Sequence, residues 1–356
     1  MTVAEQLVVL DQHFQKRNDD QTIEYLARRD KIQRILELKE QKNVLILGHN
    51  YMAPLVYNLS GEGQRGDSLQ LAKYAAQCEQ PIILFDGVRF MAETAKILNP
   101  SKKVLIADLK AGCSLADPCR ADKVKWYKQQ YPGLPVVIYI NSYADAKAES
   151  DYCCTSSNGL AVVEHVAKEY KKNRVIFLPD SLMGANIEEE LQEKGSKIEL
   201  IYPGKYDKEH GSCEVHEQIS VEMVKNIRKQ FNLPKLIEEE KNPETAVIVH
   251  WECLPEVRKE ADFCSSTSKM ISYIKEHPSL QRVFLGTECE MTANLQAEFP
   301  QIDFVKTCGI ACQHMARITI DKILETLETE QPEVTVPEDI RVRALVPIER
   351  MLKMRK

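Results

Sequence analysis

The feature that most constrains this chain is a unit written three times. Short β-branched runs bounded by polar turns mark strands, and they fall into three sets of three. The first set is VLILGH from Val44, IILFDG from Ile82 and VLIADL from Val104. The second is VVIYIN from Val136, VIFLPD from Val175 and IELIYP from Ile198; the third is AVIVHW from Ala246, VFLGTE from Val283 and IDFV from Ile302. Charged, leucine-bearing helical stretches separate the runs, and continuous apolar strands alternating with such helices predict parallel sheets covered on both faces. The repetition extends beyond the strands. Each middle strand leads to a methionine and a helix: Met91-Ala-Glu-Thr-Ala, Met183-Gly-Ala-Asn-Ile and Met291-Thr-Ala-Asn-Leu. The segment Ser150-Asp-Tyr-Cys-Cys-Thr-Ser-Ser157 echoes Ala261-Asp-Phe-Cys-Ser-Ser-Thr-Ser268, with Gly66-Asp-Ser68 as a shorter version. Each third strand is followed by a cysteine: Cys113, Cys213 and Cys312.

A repeat of this length predicts three copies of a small α/β domain rather than a solenoid. The expected fold is three homologous three-layer αβα domains with short parallel sheets around a pseudo-threefold axis. Residues 1–35 form an N-terminal helical extension, 36–118, 119–215 and 216–330 the three repeats, and 331–356 a C-terminal tail or helix. Ligands bind beyond the carboxyl ends of parallel strands, so the equivalent loops would converge on one central cavity. The alternative is three units in a row whose loop cysteines never meet.

Composition removes several function classes. A net charge of −6 over 356 residues gives no electrostatic reason to expect nucleic acid or an anionic membrane as partner. No apolar run approaches the length that crosses a bilayer. Glu5, Asp11, Asp19 and Asp20 stand where a signal or transit peptide would be basic and poor in acids. The expectation is a cytoplasmic protein in a reducing compartment. Its eleven cysteines are then buried small residues or metal ligands, not a disulfide framework.

The post-strand loops are rich in groups that hold anions and move protons. The first repeat offers Gly48-His49-Asn50-Tyr51 and Asp67-Ser68. The second offers Tyr139, Asn141, Thr155-Ser156-Ser157 and Cys213-Glu-Val-His216. The third offers His250-Trp-Glu252-Cys253 and Ser265-Ser266-Thr267. Ser and Thr before a helix can cap it and present backbone N–H groups to a carboxylate or phosphate. His49 and His250 end the first strands of their repeats. Glu252 follows two residues after His250, and on an extended segment both would project to one side. Glu252 is a candidate general base, or else it orients His250 or forms a buried ion pair. One cysteine per repeat gives three thiolates. They suit a cubane iron–sulfur cluster with one iron open to a substrate oxygen, or a zinc ion with an open fourth position.

Several blocks resemble the signatures of quinolinate synthases. They are Gly48-His-Asn-Tyr51, Gly66-Asp-Ser-Leu-Gln-Leu-Ala72, Phe90-Met-Ala-Glu-Thr-Ala-Lys96, Ala111-Gly-Cys-Ser-Leu-Ala-Asp117, Cys154-Thr-Ser-Ser-Asn158, Cys213-x-x-His216 and His250-x-Glu-Cys253. The resemblance runs from about residue 30 to the C-terminus and implies three homologous α/β domains around a pseudo-threefold axis. It implies condensation of iminoaspartate with dihydroxyacetone phosphate to quinolinate, with loss of phosphate and two waters, in NAD biosynthesis. The enzyme that supplies iminoaspartate is a further possible partner. The resemblance also implies a [4Fe-4S] cluster with three Cys ligands, Cys113, Cys213 and Cys312, and one open iron. Cys308 competes for the third position, but Cys312-x-x-Met315 has the family spacing and nearly repeats the offset of Cys113 from its strand. The implied catalytic residues are Tyr51, Tyr139, His250 and Glu252; His49, Ser68, Asn141, Ser156, His216, Ser266 and Thr267 bind substrate. The family usually has Gly where Ser265 stands and Pro where Trp251 stands, and Lys205 to Ser212 reads as an insertion, either a lid or a longer surface loop. Two rival readings are another cluster-dependent hydro-lyase and a non-catalytic iron or oxygen sensor.

Overall fold

A computed structural model of the protein describes residues 2–17, 19–61, 63–236, 243–305 and 309–354. The chain divides into two compact units, one of residues 1–112, 289–300 and 311–335, the other of 113–288, 301–310 and 336–356.

The first unit opens with helices Val3–Arg17 and Asp20–Gln41. The second helix starts at a capping box: Gln21 N–H donates to Asp19 Oδ1 at 3.0 Å, and Asp19 N–H donates to Thr22 Oγ1 at 3.3 Å. Asp11 locks the pair, accepting from both arms of Arg29 and from the Tyr25 hydroxyl, each at 2.8 Å. The sheet of this unit contains β1 (Val44–His49), β2 (Arg65–Gly66), β3 (Ile82–Asp86) and β4 (Lys103–Leu105), in the order β2-β1-β3-β4. Every residue of β1 is buried, as a strand covered on both faces requires.

The second unit holds two further sheets of the same design. One has β5 (Val136–Tyr139), β6 (Tyr152–Cys154), β7 (Arg174–Leu178) and β8 (Glu199–Ile201), ordered β6-β5-β7-β8. The other has β9 (Thr245–His250), β10 (Phe263–Ser265), β11 (Arg282–Gly286) and β12 (Asp303–Val305), ordered β10-β9-β11-β12. All pairings within these three sheets are parallel. The threefold α/β repeat is therefore present, with one addition. Each sheet has a fourth strand of two or three residues, β2, β6 or β10, and these strands lie in or beside the Asp-Ser and Asp-aromatic-Cys echoes of the sequence. Strands that short carry no alternation to read.

Behind each of these edge strands the chain enters a helix, with its end caps near the carboxyl ends of the strands. Asp67 Oδ1 accepts from Leu69 and Gln70 N–H at the start of Ser68–Gln77, and Ser266 Oγ accepts from Lys269 N–H at the start of Thr267–Glu276. The Lys205–Ser212 segment is pinned rather than loose: Ser181 N–H donates to Gly211 O at 2.7 Å and Gly211 N–H donates to Ser181 Oγ at 3.0 Å. A Cβ at Gly211 would stand 2.1 Å from Pro179 O, so only glycine fits that contact. No helix among the described residues is long and apolar enough to cross a membrane.

Candidate active site

In the second unit the predicted residues meet around one carboxylate. Glu252 is 3% exposed, and its two oxygens divide their partners. Oε1 accepts from the Tyr139 hydroxyl at 2.7 Å and from Asn141 Nδ2 at 3.1 Å. Oε2 lies 2.8 Å from His216 Nδ1 and 3.8 Å from His250 Nδ1. The His216 and His250 rings stack with centroids 4.6 Å apart, and His216 Nε2 lies 2.9 Å from Thr287 Oγ1. Ser156 adds its hydroxyl to Tyr139. A sulfur of Cys213, a ring nitrogen of His216 and an oxygen of Glu252 lie within 4.8 Å of one another. Ser266 and Thr267 are buried at the start of their helix.

The chain brings this about by turning, not by extending. The sequence reading had His250 and Glu252 on an extended segment. Instead β9 stops at His250 and a tight turn follows, with Cys253 N–H donating to His250 O at 3.0 Å and Glu252 N–H to His250 Nδ1 at 3.4 Å. The tight partner of Glu252 is His216, from the Cys-x-x-His loop after β8, rather than His250. Sequence proximity favoured His250; the fold supplies the nearer ring from a distant loop.

Burial pushes the Glu252 carboxyl up, but the His250 and His216 rings and the Tyr139 hydroxyl outweigh it and hold it below the usual carboxylate range. Tyr139 moves the other way: burial, then the adjacent Glu252 charge, raise it well above an ordinary phenol. The pair is thus a carboxylate beside a phenol that keeps its proton. Asp180, fully buried at the cap of helix Ser181–Glu193, is raised well above the usual range by burial and by Glu252.

The first unit holds the other predicted residues. His49 ends β1 and repeats the turn of His250: Met52 N–H donates to His49 O at 3.0 Å, and Tyr51 N–H to His49 Nδ1 at 3.2 Å. In the neutral ring Nε2 then carries the proton at both histidines, a donor suited to an anion. Tyr51 and Ser68 are half-buried, and Ser68 is the first residue of its helix.

The three repeat cysteines share one local frame. The carbonyls of Cys113, Cys213 and Cys312 accept from the N–H of Asp117, Glu217 and Ala316, at 2.9, 3.0 and 3.0 Å. None of the three is in a disulfide and all are half-buried, whereas Cys119, Cys153, Cys154 and Cys253 are buried. Cys113 and Cys213 lie in the same unit, where Glu214 N–H donates to Ser114 Oγ at 3.3 Å and joins their loops. Cys312 belongs to the other unit, and Cys308 lies outside the described residues.

Sequence reasoning missed Asp180, Thr287 and two asparagines, Asn186 and Asn294. The asparagines had a signal, the repeated Met-x-Ala-Asn, whose meaning only the contacts reveal.

Fold and site together define a parallel α/β protein in which a buried carboxylate, phenol and imidazole gather beside the Cys213 thiol. The profile of the family described as "Quinolinate synthetase A protein" matches residues 33–353. The chain is 42% identical over 330 residues to quinolinate synthase 1 of Mesorhizobium japonicum, covering 93% of each chain. It is 41% identical over 320 residues to the quinolinate synthase of Caulobacter vibrioides, covering 90% of this chain and 80% of the relative. It is 42% identical over 333 residues to that of Sinorhizobium fredii, covering 94% of this chain and 85% of the relative. The chain belongs to the quinolinate synthase family.

Proposed function

We propose that this chain condenses iminoaspartate with dihydroxyacetone phosphate to quinolinate, losing phosphate and two waters, and that Cys113, Cys213 and Cys312 hold a [4Fe-4S] cluster with one open iron. The donor set fits that group: three cysteines outside any disulfide, each at the start of the same backbone turn, are the ligand type such clusters take. When bound, the cluster supplies Lewis acidity at the iron that three thiolates leave open.

The observation that carries the reading is the Glu252 carboxylate, held by Tyr139, Asn141 and His216 beside Cys213. The condensation needs a proton removed next to a carbonyl and protons delivered to two departing hydroxyls. Glu252 is the group that stays ionised and accepts, through its contact with His216. Tyr139 stays protonated and donates. Tyr51 is a second acid–base group, and His250, stacked on the His216 ring and 3.8 Å from Glu252 Oε2, is a third. Both substrates are anionic. The His49 ring, the Ser68, Ser156, Ser266 and Thr267 hydroxyls and the Asn141 amide are the neutral donors that bind their carboxylates and phosphate, with His216 as the ring beside them through which a proton reaches Glu252. The protein acts as a cytoplasmic enzyme on small molecules and takes iminoaspartate from the enzyme that makes it.

The test is to incubate anaerobically purified, cluster-bearing protein with both substrates and to measure quinolinate. Quinolinate formed only when both are present supports the reading; cluster-bearing protein that consumes neither substrate overturns it.

A further inference from the structure

The turn after β1 and the turn after β9 are each held from outside by an asparagine at the same place in the repeat. Asn186 lies on the helix after β7, and its Nδ2 donates to Trp251 O at 2.9 Å and to Cys253 O at 2.8 Å. These are the carbonyls on either side of Glu252. Asn294 lies on the helix after β11, and its Nδ2 donates to Met52 O at 2.9 Å and to Asn50 O at 3.4 Å. These are the carbonyls on either side of Tyr51. Each contact is made inside one compact unit, Asn186 in the second and Asn294 in the first.

The two arrangements match in every part. Both asparagines stand three residues after the repeat methionine, Met183 or Met291. Both turns have the preceding histidine accepting at Nδ1 from the N–H of the clamped residue. Asn186 is fully buried and Asn294 is 7% exposed, and in both the amide oxygen finds no partner among the described residues. A buried acceptor without a partner destabilises a fold, so the amide is oriented for its N–H groups at the expense of its oxygen, twice. The first repeat has Thr94 at this position, and its hydroxyl turns back to Phe90 O of its own helix at 2.9 Å. The turn after β5 is instead held by its own residues, with the Ser142 hydroxyl donating to Tyr139 O at 2.8 Å and Lys147 to Ser142 O.

We infer that Asn186 and Asn294 are positioning residues that fix the acid–base groups Glu252 and Tyr51, each by clamping the two carbonyls that flank its target. The inference deepens the proposed function, since it rests on Glu252 and Tyr51 moving protons there. Two donors on one rigid amide fix the direction of the target's Cα–Cβ bond, which one hydrogen bond would leave free to pivot. Neither asparagine touches a reacting group in this role.

The test uses the cluster-bearing enzyme with Asn186→Thr and Asn294→Thr, each paired with the isosteric Asn→Asp change. Threonine suits the helix, because Thr94 already occupies the same position. Aspartate keeps the shape but, when ionised, has no donor for the carbonyls. A misplacement of about 1 Å at a reacting group costs on the order of 10²-fold, so each variant is expected to lose kcat by about that factor with KM little changed. Hydrogen–deuterium exchange gives a second readout that does not depend on activity. The amides of residues 250–254 should exchange faster in the Asn186 variants and those of 49–53 in the Asn294 variants, while the helices carrying the substitutions keep their protection. Folded Thr and Asp variants with wild-type kcat and unchanged exchange overturn the inference. If wild-type protein makes no quinolinate, the proposed function fails, yet exchange still decides whether the clamps hold the turns. Should one asparagine's variants fail to fold, the other asparagine, on its own turn, supplies the decision.

Discussion

Glu252 is a buried carboxylate with partners on both oxygens. Its Oε1 takes two donors and its Oε2 faces an imidazole. That imidazole can pass a proton while the oxygen stays in place. The Glu252→Gln change keeps the volume and lets Tyr139 still donate to the amide oxygen, but it removes the carboxylate proposed to take a proton. The expected outcome is a loss of turnover of about 10²–10⁴-fold, the usual worth of a general base or acid, with cluster absorbance and substrate binding little changed. An intact, cluster-bearing Gln variant with near-normal kcat would take Glu252 out of the mechanism. Tyr139→Phe leaves Glu252 with Asn141 and His216 but withdraws the proton donor, so its kcat should fall while its fold is kept; steady-state kinetics and circular dichroism measured together check this.

At the scale of elements, helix Ser181–Glu193 places both a cap and a clamp near the site. Asp180 Oδ1 accepts from Leu182 and Met183 N–H at 2.9 Å each, while Oδ2 has no partner among the described residues. Burial and then Glu252 raise the Asp180 carboxyl well above its ordinary value, so the native state holds its proton more tightly than the unfolded chain does. The contribution of such a group is most favourable below the unfolded carboxyl value and declines as pH climbs toward the raised folded value. Asp180→Asn keeps the capping oxygen and does not titrate. Measured by anaerobic denaturant unfolding, its midpoint relative to wild type should therefore rise between about pH 5 and about pH 8; a difference independent of pH would show that Asp180 does not change its protonation in this way. The elements also show what a sequence makes legible. Nine strands were readable because Val and Ile runs of three to six residues sit between charged helices, and the repeat of Met, Cys and the Asp-aromatic-Cys echo showed them to be three copies. The edge strands β2, β6 and β10 were not, because two or three residues have no period. The site residues were legible by type and repeat position, whereas their pairing was not. Nothing in the spacing says that His216, from the loop after β8, comes nearer to Glu252 than His250 does, since that depends on where a turn ends and a ring stacks.

At the scale of the whole molecule, the cysteines sort by their surroundings. Three occupy the same backbone turn after the last strand of a sheet, Cys113, Cys213 and Cys312. The others are spread over strands, helices and loops, for example Cys154 at the end of β6 and Cys119 in a buried loop position. Burial, the largest cause, raises the Cys119 and Cys264 thiols to about 12 and raises the Cys213 thiol as well, so it is the shared backbone turn, not the thiol's acidity, that sets the three apart. If the proposed cluster is present, anaerobic protein is brown, and single Cys113→Ala, Cys213→Ala or Cys312→Ala changes abolish that colour and the iron content. Alanine at Cys78, Cys119, Cys264 or Cys289 leaves both in place. A Cys308→Ala protein without iron, together with a Cys312→Ala protein that keeps it, would move the third ligand to Cys308. The same arrangement fixes the response to air. A cubane held by three thiolates exposes one iron to oxidants, so aerobic storage should bleach the protein and stop turnover together, and iron, sulfide and reductant should restore both. Protein that retains full activity after prolonged exposure to air, with no iron by elemental analysis, would instead mean that the three thiols serve zinc or no metal at all.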